Sequence, residues 1–220
     1  MNRPYIIVNC AMSADGKISL PSRKQFRISS EEDIARVHRL RNSCDAILVG
    51  IETVLNDNPK LTIKEKYVEK PKQPTRIILD THCRTPIDAL AVKGEIETLI
   101  ITAEETKCDK KYGENVKIIS CSTTEEGFID LQYALSILYK RGIKTLLVEG
   151  GGTVIWSFLR EKLVDELYIY IGSIIIGGEK TPTPVEGEGF LVKNNILRLK
   201  LLEYSKMGDG ILLHYRLTRK

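Results

Sequence analysis

The sequence predicts an α/β fold with a mostly parallel central sheet, flanking helices and an antiparallel edge at the C-terminus. Two observations lead to this class. Short apolar runs of strand length alternate with helix-like segments through the first two-thirds of the 220 residues, which is typical of parallel sheets. Near the end of the chain, Gly208-Asp209-Gly210 separates two further apolar runs, which is typical of a β-hairpin.

Apolar runs bounded by turn residues define the predicted strands. The first run, Tyr5 to Met12, ends at the turn residues Ser13 to Gly16. The longest run, residues 167–176, indicates a buried strand that begins at residue 166. In chain order, the predicted strands cover residues 5–12, 45–50, 75–80, 99–102, 116–120, 145–149, 166–176, 197–204 and 211–217.

Capping residues and helix breakers place the predicted helices between these strands. Ser29 to Asp33 resembles a capping box, and the helix that follows is expected to reach about Asn42. Its inner face is expected to carry Ile34, Val37, Leu40 and the stem of Arg41. Further helices are predicted over 51–55, where Asn58-Pro59 stops the helix, and over 131–141 and 153–162.

Length and composition indicate one compact domain over residues 1–220. Hydrophobic residues make up 42% and charged residues 28%, which is ordinary for a globular protein and argues against extensive disorder. The longest apolar stretch is far shorter than the roughly 20 residues of a membrane-spanning helix, so we expect no integral membrane protein. No signal-peptide pattern opens the chain.

The cysteines and histidines indicate neither a disulfide framework nor a metal site. Cysteines stand at positions 10, 44, 83, 108 and 121, an odd number without a C-x-x-C pair. The histidines at 38, 82 and 214 are scattered without metal-ligand spacing. We therefore expect reduced thiols in the cytoplasm and no bound metal.

A net charge of +4 says little about partners. Basic residues cluster within 36–41 and 60–72, and a solvated helix face with an exposed loop explains them better than a nucleic-acid patch. Aromatic residues do not interleave with these clusters as single-strand binding requires. We expect no nucleic-acid or membrane partner, and small anionic ligands remain open.

The strongest local signal is a glycine turn, Gly150-Gly151-Gly152, between a buried strand and a helix. Such a turn exposes backbone N–H groups at the positive end of a helix and favours phosphate binding. A tight strand-to-helix connection is the simpler alternative. The turn matches neither the G-x-G-x-x-G fingerprint nor a P-loop.

Two other segments place polar residues just beyond predicted strands. Asn9 to Lys17 carries a carboxylate and an amine around a glycine, which suits acid–base work or an Asx turn with an exposed lysine. Gly50 to Thr62 places Thr53 and Asp57 one helical turn apart, and capping explains Asp57 equally well. No G-x-S-x-G is present, although a Ser–His–Asp or Cys–His nucleophile stays open.

Taken together, these segments resemble the reductase family of riboflavin biosynthesis, whose domain is similar to dihydrofolate reductase. The matching segments occur in family order: VNCAMSADGKIS (8–19), RIS (27–29), VGIETVLNDNPKLT (49–62), PTRIILD (74–80), LLVEGGGTVIWSFLREKLVDEL (146–167) and IIIGG (174–178). The sequence lacks the H-x-E and P-C-x-x-C motifs of the zinc deaminase that precedes this domain in bacterial members. It resembles the free-standing archaeal or fungal type.

The resemblance implies an enzyme with a dihydrofolate-reductase-like fold. It would use NADPH to reduce 2,5-diamino-6-ribosylamino-4(3H)-pyrimidinone 5′-phosphate to the ribitylamino product by hydride transfer to C1′. It also implies a homodimer without metal. NADH as a second donor, another pterin or pyrimidine substrate, and a nucleotide-binding module without catalysis are the alternatives.

The resemblance also implies roles for particular residues. Lys17 and Glu149 are the candidates for acid–base or charge-stabilising catalysis, and Asp15 is the candidate for orienting the turn that precedes Lys17. Cofactor contacts are implied for Ala11, Arg27, Thr53, Asp57, Asp80, Gly151, Gly152 and Thr153. Substrate contacts are implied for Asn9, Gln25, Arg41, Leu61, Lys64 and Glu149. Departures from the family pattern occur at Gly172-Ser173, at Asn58 and at Glu52, and Glu52 could shift the cofactor preference.

Overall fold

A computed structural model describes residues 2–24 and 26–218. Within these residues, strands and helices alternate as expected from the sequence. The elements are β1 (Tyr5–Ser13), α1 (Glu31–Asn42), β2 (Ala46–Gly50), α2 (Ile51–Asp57), β3 (Thr75–Leu79), β4 (Thr98–Ala103), β5 (Val116–Cys121), α3 (Leu131–Lys140), β6 (Thr145–Gly150), α4 (Gly152–Arg160), β7 (Glu166–Gly172), β8 (Leu199–Met207) and β9 (Gly210–Leu217).

The chain divides into two compact units. The first unit contains the residues before Ile6 together with Arg39–Leu147, and the second contains Ile6–His38 together with the chain from Val148 onward. β6 contributes its first half to the first unit and its second half to the second unit. The interpretation of residues 1–220 as a single domain stays a prediction.

The first unit is built on parallel strands. β3 pairs in parallel with β2 and with β4, and β5 pairs in parallel with β4. Every residue of β2 and β4 is buried, which is why these segments carry no charged residue and show no alternation of apolar and polar residues. Arg76 of β3 is a buried charged residue, and its Nη1 donates to the carbonyls of Ala91 and Lys93 at 2.9 Å each.

The second unit combines parallel and antiparallel pairing. β1 pairs in parallel with β7, β7 pairs antiparallel with β9, and β9 pairs antiparallel with β8. The pairing of β8 with β9 runs as far as Met207 and Gly210, which flank a tight turn with Gly208 at φ +62°. The predicted hairpin is therefore confirmed. The predicted fold class, a mostly parallel sheet with an antiparallel C-terminal edge, is confirmed as well.

Two sequence expectations about these elements are wrong. β7 ends at Gly172 and not at residue 176, and Ile175 beyond its end is 74% exposed, so this apolar residue does not continue a buried strand. In α1 the buried residues are Asp33 and His38. The apolar residues expected to face the core are only half-buried, namely Ile34, Val37 and Leu40.

The cysteine expectation also needs correction. Cys83 and Cys108 form a disulfide in the first unit, with 5.7 Å between their Cα atoms, while Cys10, Cys44 and Cys121 are free. An odd cysteine count does not reveal a single disulfide between residues that are 25 positions apart, because only the folded chain brings the two cysteines together.

We expect Phe158→Ala to lower the free energy of unfolding by about 3–5 kcal/mol, because Phe158 is completely buried in α4 and truncation leaves a cavity. Denaturant unfolding measures the change. Phe26→Ala is the matched control, since Phe26 is 46% exposed and its truncation removes little buried surface. Equal losses from the two variants would contradict this description of the core.

Candidate active site

The predicted site residues belong to both units, and each group is described separately. The second unit contains Asn9, Ala11, Asp15, Lys17, Arg27, Glu149, Gly151, Gly152 and Thr153. The first unit contains Arg41, Thr53, Asp57, Leu61, Lys64 and Asp80. Gln25 lies outside the described residues.

Asp15 holds two chain segments together just beyond β1. Its carboxylate accepts hydrogen bonds from the backbone N–H groups of Ile176 and Gly177 at 3.1 and 2.7 Å. It also accepts from the Ser13 hydroxyl at 2.6 Å. These donors, with the Ser13 hydroxyl contributing most, lower the pKa of Asp15 to about 2. Asp15 is therefore ionised at neutral pH, which suits an orienting role and not a proton donor.

Lys17 follows directly in the same turn. Its backbone N–H donates to Ser13 Oγ at 2.8 Å, and its Nζ lies 3.4 Å from the Thr181 carbonyl oxygen. The residue is half-buried. The ammonium is thus held at the exit of β1 by a turn that Ser13 and Asp15 define.

Glu149 and the glycine turn stand at the end of β6. Glu149 is half-buried and is the next-to-last residue of the strand. Gly151 caps α4 without any side-chain hydrogen bond to the first helical N–H groups. These backbone groups and the positive end of the helix dipole form a place where a phosphate can bind.

Gly152 is required by its own surroundings. A Cβ there would lie 2.8 Å from the Thr183 carbonyl oxygen and 2.6 Å from Glu186 Cγ. The segment 183–186 therefore packs directly on the start of α4, and only glycine leaves room for it. The triple glycine thus has a packing reason as well as a possible binding reason.

The remaining residues of this group differ in exposure. Asn9 is nearly buried in β1, and its Oδ1 accepts a hydrogen bond from Arg36 at 2.7 Å. Arg27 is exposed and pairs with Glu31 at 2.9 Å, so a bound anion would compete with this ion pair. Ala11 is half-buried in β1, and Thr153 is exposed in the first turn of α4.

In the first unit, α2 carries Thr53 and Asp57 directly after the buried β2. Asp57 is half-buried, and burial raises the pKa of its carboxyl group. Gly50 at the end of β2 pairs with Leu79 at the end of β3. α2 and the residue after β3, Asp80, therefore lie at the same edge of this parallel sheet.

The side chain of Asp80 is committed to its own turn. It is fully buried, and Oδ2 accepts from the Thr85 N–H and hydroxyl groups at 2.7 Å each. A cofactor contact near Asp80 would therefore come from the backbone of this turn. Close by in the sequence, Arg84 pairs with Glu52 of α2 at 2.8 Å.

Arg41 supports the segment that carries Leu61 and Lys64. Its Nη1 donates to the Thr62 carbonyl at 2.9 Å, and Leu61 is buried with φ +51°. Lys64 is exposed. Arg41 is thus linked to the segment that contains Leu61 and Lys64.

Sequence reasoning missed Arg36, Ser13 and the segment around Thr181 and Glu186. The turn that contains Ser13 and Asp15 is visible in the sequence, but the backbone partners of Asp15, Ile176 and Gly177, lie more than 160 residues away. The pair Asp33 and Arg36 was detectable as opposite charges one helical turn apart.

The free thiols and the possible metal-ligating side chains are separate cases. Burial raises the pKa of Cys10 and of Cys121 to about 12, so neither thiol is a nucleophile near neutral pH. Within residues 2–24 and 26–218, no group of three or more His, Cys, Asp or Glu side chains is arranged to hold a metal ion. In the same ranges, no helix has the length and hydropathy to cross a membrane.

The buried parallel strands define an α/β protein, a class in which ligands commonly bind beyond the carboxyl ends of the strands. The particular family follows from comparison of the sequences. The chain belongs to the family described as the RibD C-terminal domain, which matches residues 4–213.

Two archaeal relatives match this chain almost end to end. A protein of Archaeoglobus fulgidus named 2,5-diamino-6-ribosylamino-4(3H)-pyrimidinone 5′-phosphate reductase is 41% identical, covering 99% of this chain and 100% of the relative. A protein of the same name from Methanothermobacter thermautotrophicus is 36% identical, covering 97% of this chain and 98% of the relative.

Solved structures confirm the fold. The deaminase/reductase of Thermotoga maritima has a TM-score of 0.82 and 25% identity, covering 98% of this chain and 57% of that one. The riboflavin biosynthesis reductase Rib7 of Saccharomyces cerevisiae has a TM-score of 0.78 and 24% identity, covering 99% and 91%. The dihydrofolate-reductase-like architecture implied by the resemblance is therefore confirmed.

We expect Asp15→Asn to raise the hydrogen-exchange rates of the Ile176 and Gly177 amides by roughly 2- to 10-fold near neutral pH, because the neutral side chain is a weaker acceptor. Glu179→Gln, an exposed change in the same region, is the control and leaves these rates unchanged.

The sign of the pH dependence follows from the lowered pKa of Asp15. Its carboxylate stabilises the fold above the unfolded-state pKa of about 3.9, and this contribution disappears as the pH falls through about 2. The stability difference between wild type and Asp15→Asn therefore shrinks between about pH 4 and pH 2. A difference that stays constant down to pH 2 would contradict the assignment.

Proposed function

We propose that this protein reduces the ribosylamino side chain of 2,5-diamino-6-ribosylamino-4(3H)-pyrimidinone 5′-phosphate to the ribitylamino product in riboflavin biosynthesis. The observation that carries the proposal is the end-to-end match, at 41% identity, to a reductase of that name. Family membership makes the chain an oxidoreductase.

A reductase of this family implies a nicotinamide cofactor, and we propose that it is NADPH. The start of α4 suits a phosphate-bearing cofactor, because its first N–H groups have no side-chain cap and are flanked by glycine. The residues that would hold NADPH are Ala11, Arg27, Thr53, Asp57, Gly151, Gly152, Thr153 and the backbone near Asp80. When bound, NADPH supplies the hydride.

The substrate reaction needs a proton and a counter-charge. The ribosylamine ring must open before C1′ accepts hydride, which requires protonation at the ring oxygen and stabilisation of the iminium carbon. Lys17 is the proposed proton donor, since its ammonium is half-buried in a fixed turn. Glu149 is the proposed counter-charge, and Asp15 keeps the Lys17 turn in place.

Binding of the substrate is proposed for Asn9, Leu61, Arg41 and Lys64, together with Gln25 outside the described residues. Arg41 and Lys64 supply positive charge suited to the 5′-phosphate. The Arg41 side chain also fixes the segment of Leu61 through the Thr62 carbonyl. A cytoplasmic location stays a prediction.

The homodimer is proposed on the basis of β8. This strand pairs with β9 on one side only, and its residues Leu199, Leu201, Leu202 and Tyr204 are 40%, 46%, 37% and 73% exposed. An exposed apolar strand edge attracts another chain, and a second copy of the same protein fits such a self-complementary edge.

The reaction is tested by mixing the protein, NADPH and the ribosylaminopyrimidine phosphate and following NADPH absorbance together with product mass. Loss of absorbance with formation of the ribitylamino product supports the proposal. Turnover of dihydrofolate alone points to another pterin or pyrimidine substrate. NADPH binding without turnover of either compound points to a binding module.

We expect Lys17→Ala and Glu149→Ala to lower kcat by roughly 100-fold or more while the Kd for NADPH changes little, because both groups act on the substrate. Gly151→Val is expected to weaken NADPH binding instead, since a branched side chain would stand beside the uncapped N–H groups of α4.

Lys24→Ala is the matched control for Lys17→Ala, because Lys24 is exposed and carries the same charge change. Full kcat in Lys17→Ala would remove Lys17 from the mechanism. Unchanged NADPH affinity in Gly151→Val would remove the glycine turn from the cofactor site.

For the dimer, we expect Leu201→Glu to convert the protein to a monomer, because the charge would be buried at the β8 edge. Sedimentation analysis measures the mass in solution. Ile87→Glu is the control, since Ile87 is 61% exposed in the first unit and outside β8. A dimer that survives Leu201→Glu would contradict the proposed interface.

A further inference from the structure

The carboxamide of Asn9 is held by a buried ion pair on α1. Arg36 Nη2 donates to Asn9 Oδ1 at 2.7 Å, and Arg36 Nε donates to Asp33 Oδ1 at 2.8 Å. Ser29 donates in turn to the other Asp33 oxygen at 2.6 Å. The side chains of Arg36 and Asp33 are only 12% and 1% exposed. This network fixes the position of the guanidinium.

Arg36 also contacts an aromatic side chain of β7. Its guanidinium carbon lies 5.6 Å from the centre of the Tyr168 ring, and Tyr168 is the neighbour of Asn9 in the β1–β7 register. His214 stacks on Tyr168 with 4.0 Å between ring centres and lies 3.1 Å from a Glu166 carboxylate oxygen. Arg36 therefore has ionic, hydrogen-bonding and aromatic contacts that all favour one geometry.

The chemistry of arginine determines which way the Asn9 amide is turned. A guanidinium has only donors, so the Asn9 atom that it contacts is the carbonyl oxygen. The –NH2 group is then left for a ligand. Asn9 can therefore present a donor to a ligand at this position, while its oxygen is engaged by Arg36.

We propose that Arg36 is a positioning residue, which orients Asn9 so that its Nδ2 donates to a hydrogen-bond acceptor of the pyrimidine ring, a carbonyl oxygen or an unprotonated ring nitrogen. The inference rests on the proposed function, which makes Asn9 a substrate contact. It adds that Asn9 is the hydrogen-bond donor in that contact and that Arg36 fixes this orientation.

A double-mutant cycle tests the coupling between Arg36 and Asn9. Arg36→Lys keeps a positive charge beside the buried Asp33, so the carboxylate is not left alone and the fold is preserved. A single ammonium cannot hold Asp33 and Asn9 with the fork geometry of a guanidinium. Steady-state kinetics with NADPH and the ribosylaminopyrimidine phosphate gives kcat, KM and kcat/KM.

We expect Asn9→Ala to lower kcat/KM about 10-fold, chiefly through KM for the pyrimidine, and Arg36→Lys to lower it about 3- to 10-fold. In the Asn9→Ala background, Arg36→Lys is expected to add less than about 2-fold, because it acts through Asn9. NADPH affinity stays unchanged throughout. Arg39→Ala, an exposed arginine on the same helix, is the control and stays within about 2-fold of wild type.

A second variant tests the polarity. Asn9→Asp keeps an oxygen for Arg36 but replaces the donor with an acceptor, so it should lose more kcat/KM than Asn9→Ala does. Additive effects in the cycle, unchanged kcat/KM in Arg36→Lys, or an Asn9→Asp enzyme as active as wild type would overturn the inference. A wild-type protein that does not turn over the substrate overturns the proposed function instead, and the two failures are thereby distinguished.

Discussion

Parallel strands that are buried on both faces disfavour charged side chains, which are accommodated more easily beyond the strand ends. β2 and β4 show this most clearly, because every residue in them is buried. In the first unit, polar candidates such as Thr53 and Asp80 consequently follow the strands. In the second unit, Asp15 and Lys17 stand just after β1, and the glycine turn stands at the end of β6.

Beyond the strands, backbone donors and carboxylates fix the shape of the site. Asp15 binds the N–H groups of Ile176 and Gly177, and Asp80 binds Thr85 in the same way within the first unit. Each carboxylate orders a turn that has no regular secondary structure. Two of the acidic residues singled out from the sequence, Asp15 and Asp80, therefore have structural roles in their turns.

Local signals made most of the fold predictable. Aliphatic runs identified the nine strands, and Gly208-Asp209-Gly210 identified the hairpin. Contacts between distant residues were not predictable: Ile28 packs against Gly172, the disulfide joins residues 25 apart, and Arg36 reaches Asn9 across 27 residues. The family motifs identified the candidate residues, and the coordinates add which of them hold turns, as Asp15 and Asp80 do.

The central claim is that this oxidoreductase transfers hydride to C1′ of the ribosylamino group. The most direct measurement uses NADPH with deuterium at both C4 positions and locates the label in the product. The account predicts one deuterium, bound to C1′ of the ribitylamino chain. Product without deuterium, or deuterium on the pyrimidine ring, would contradict it.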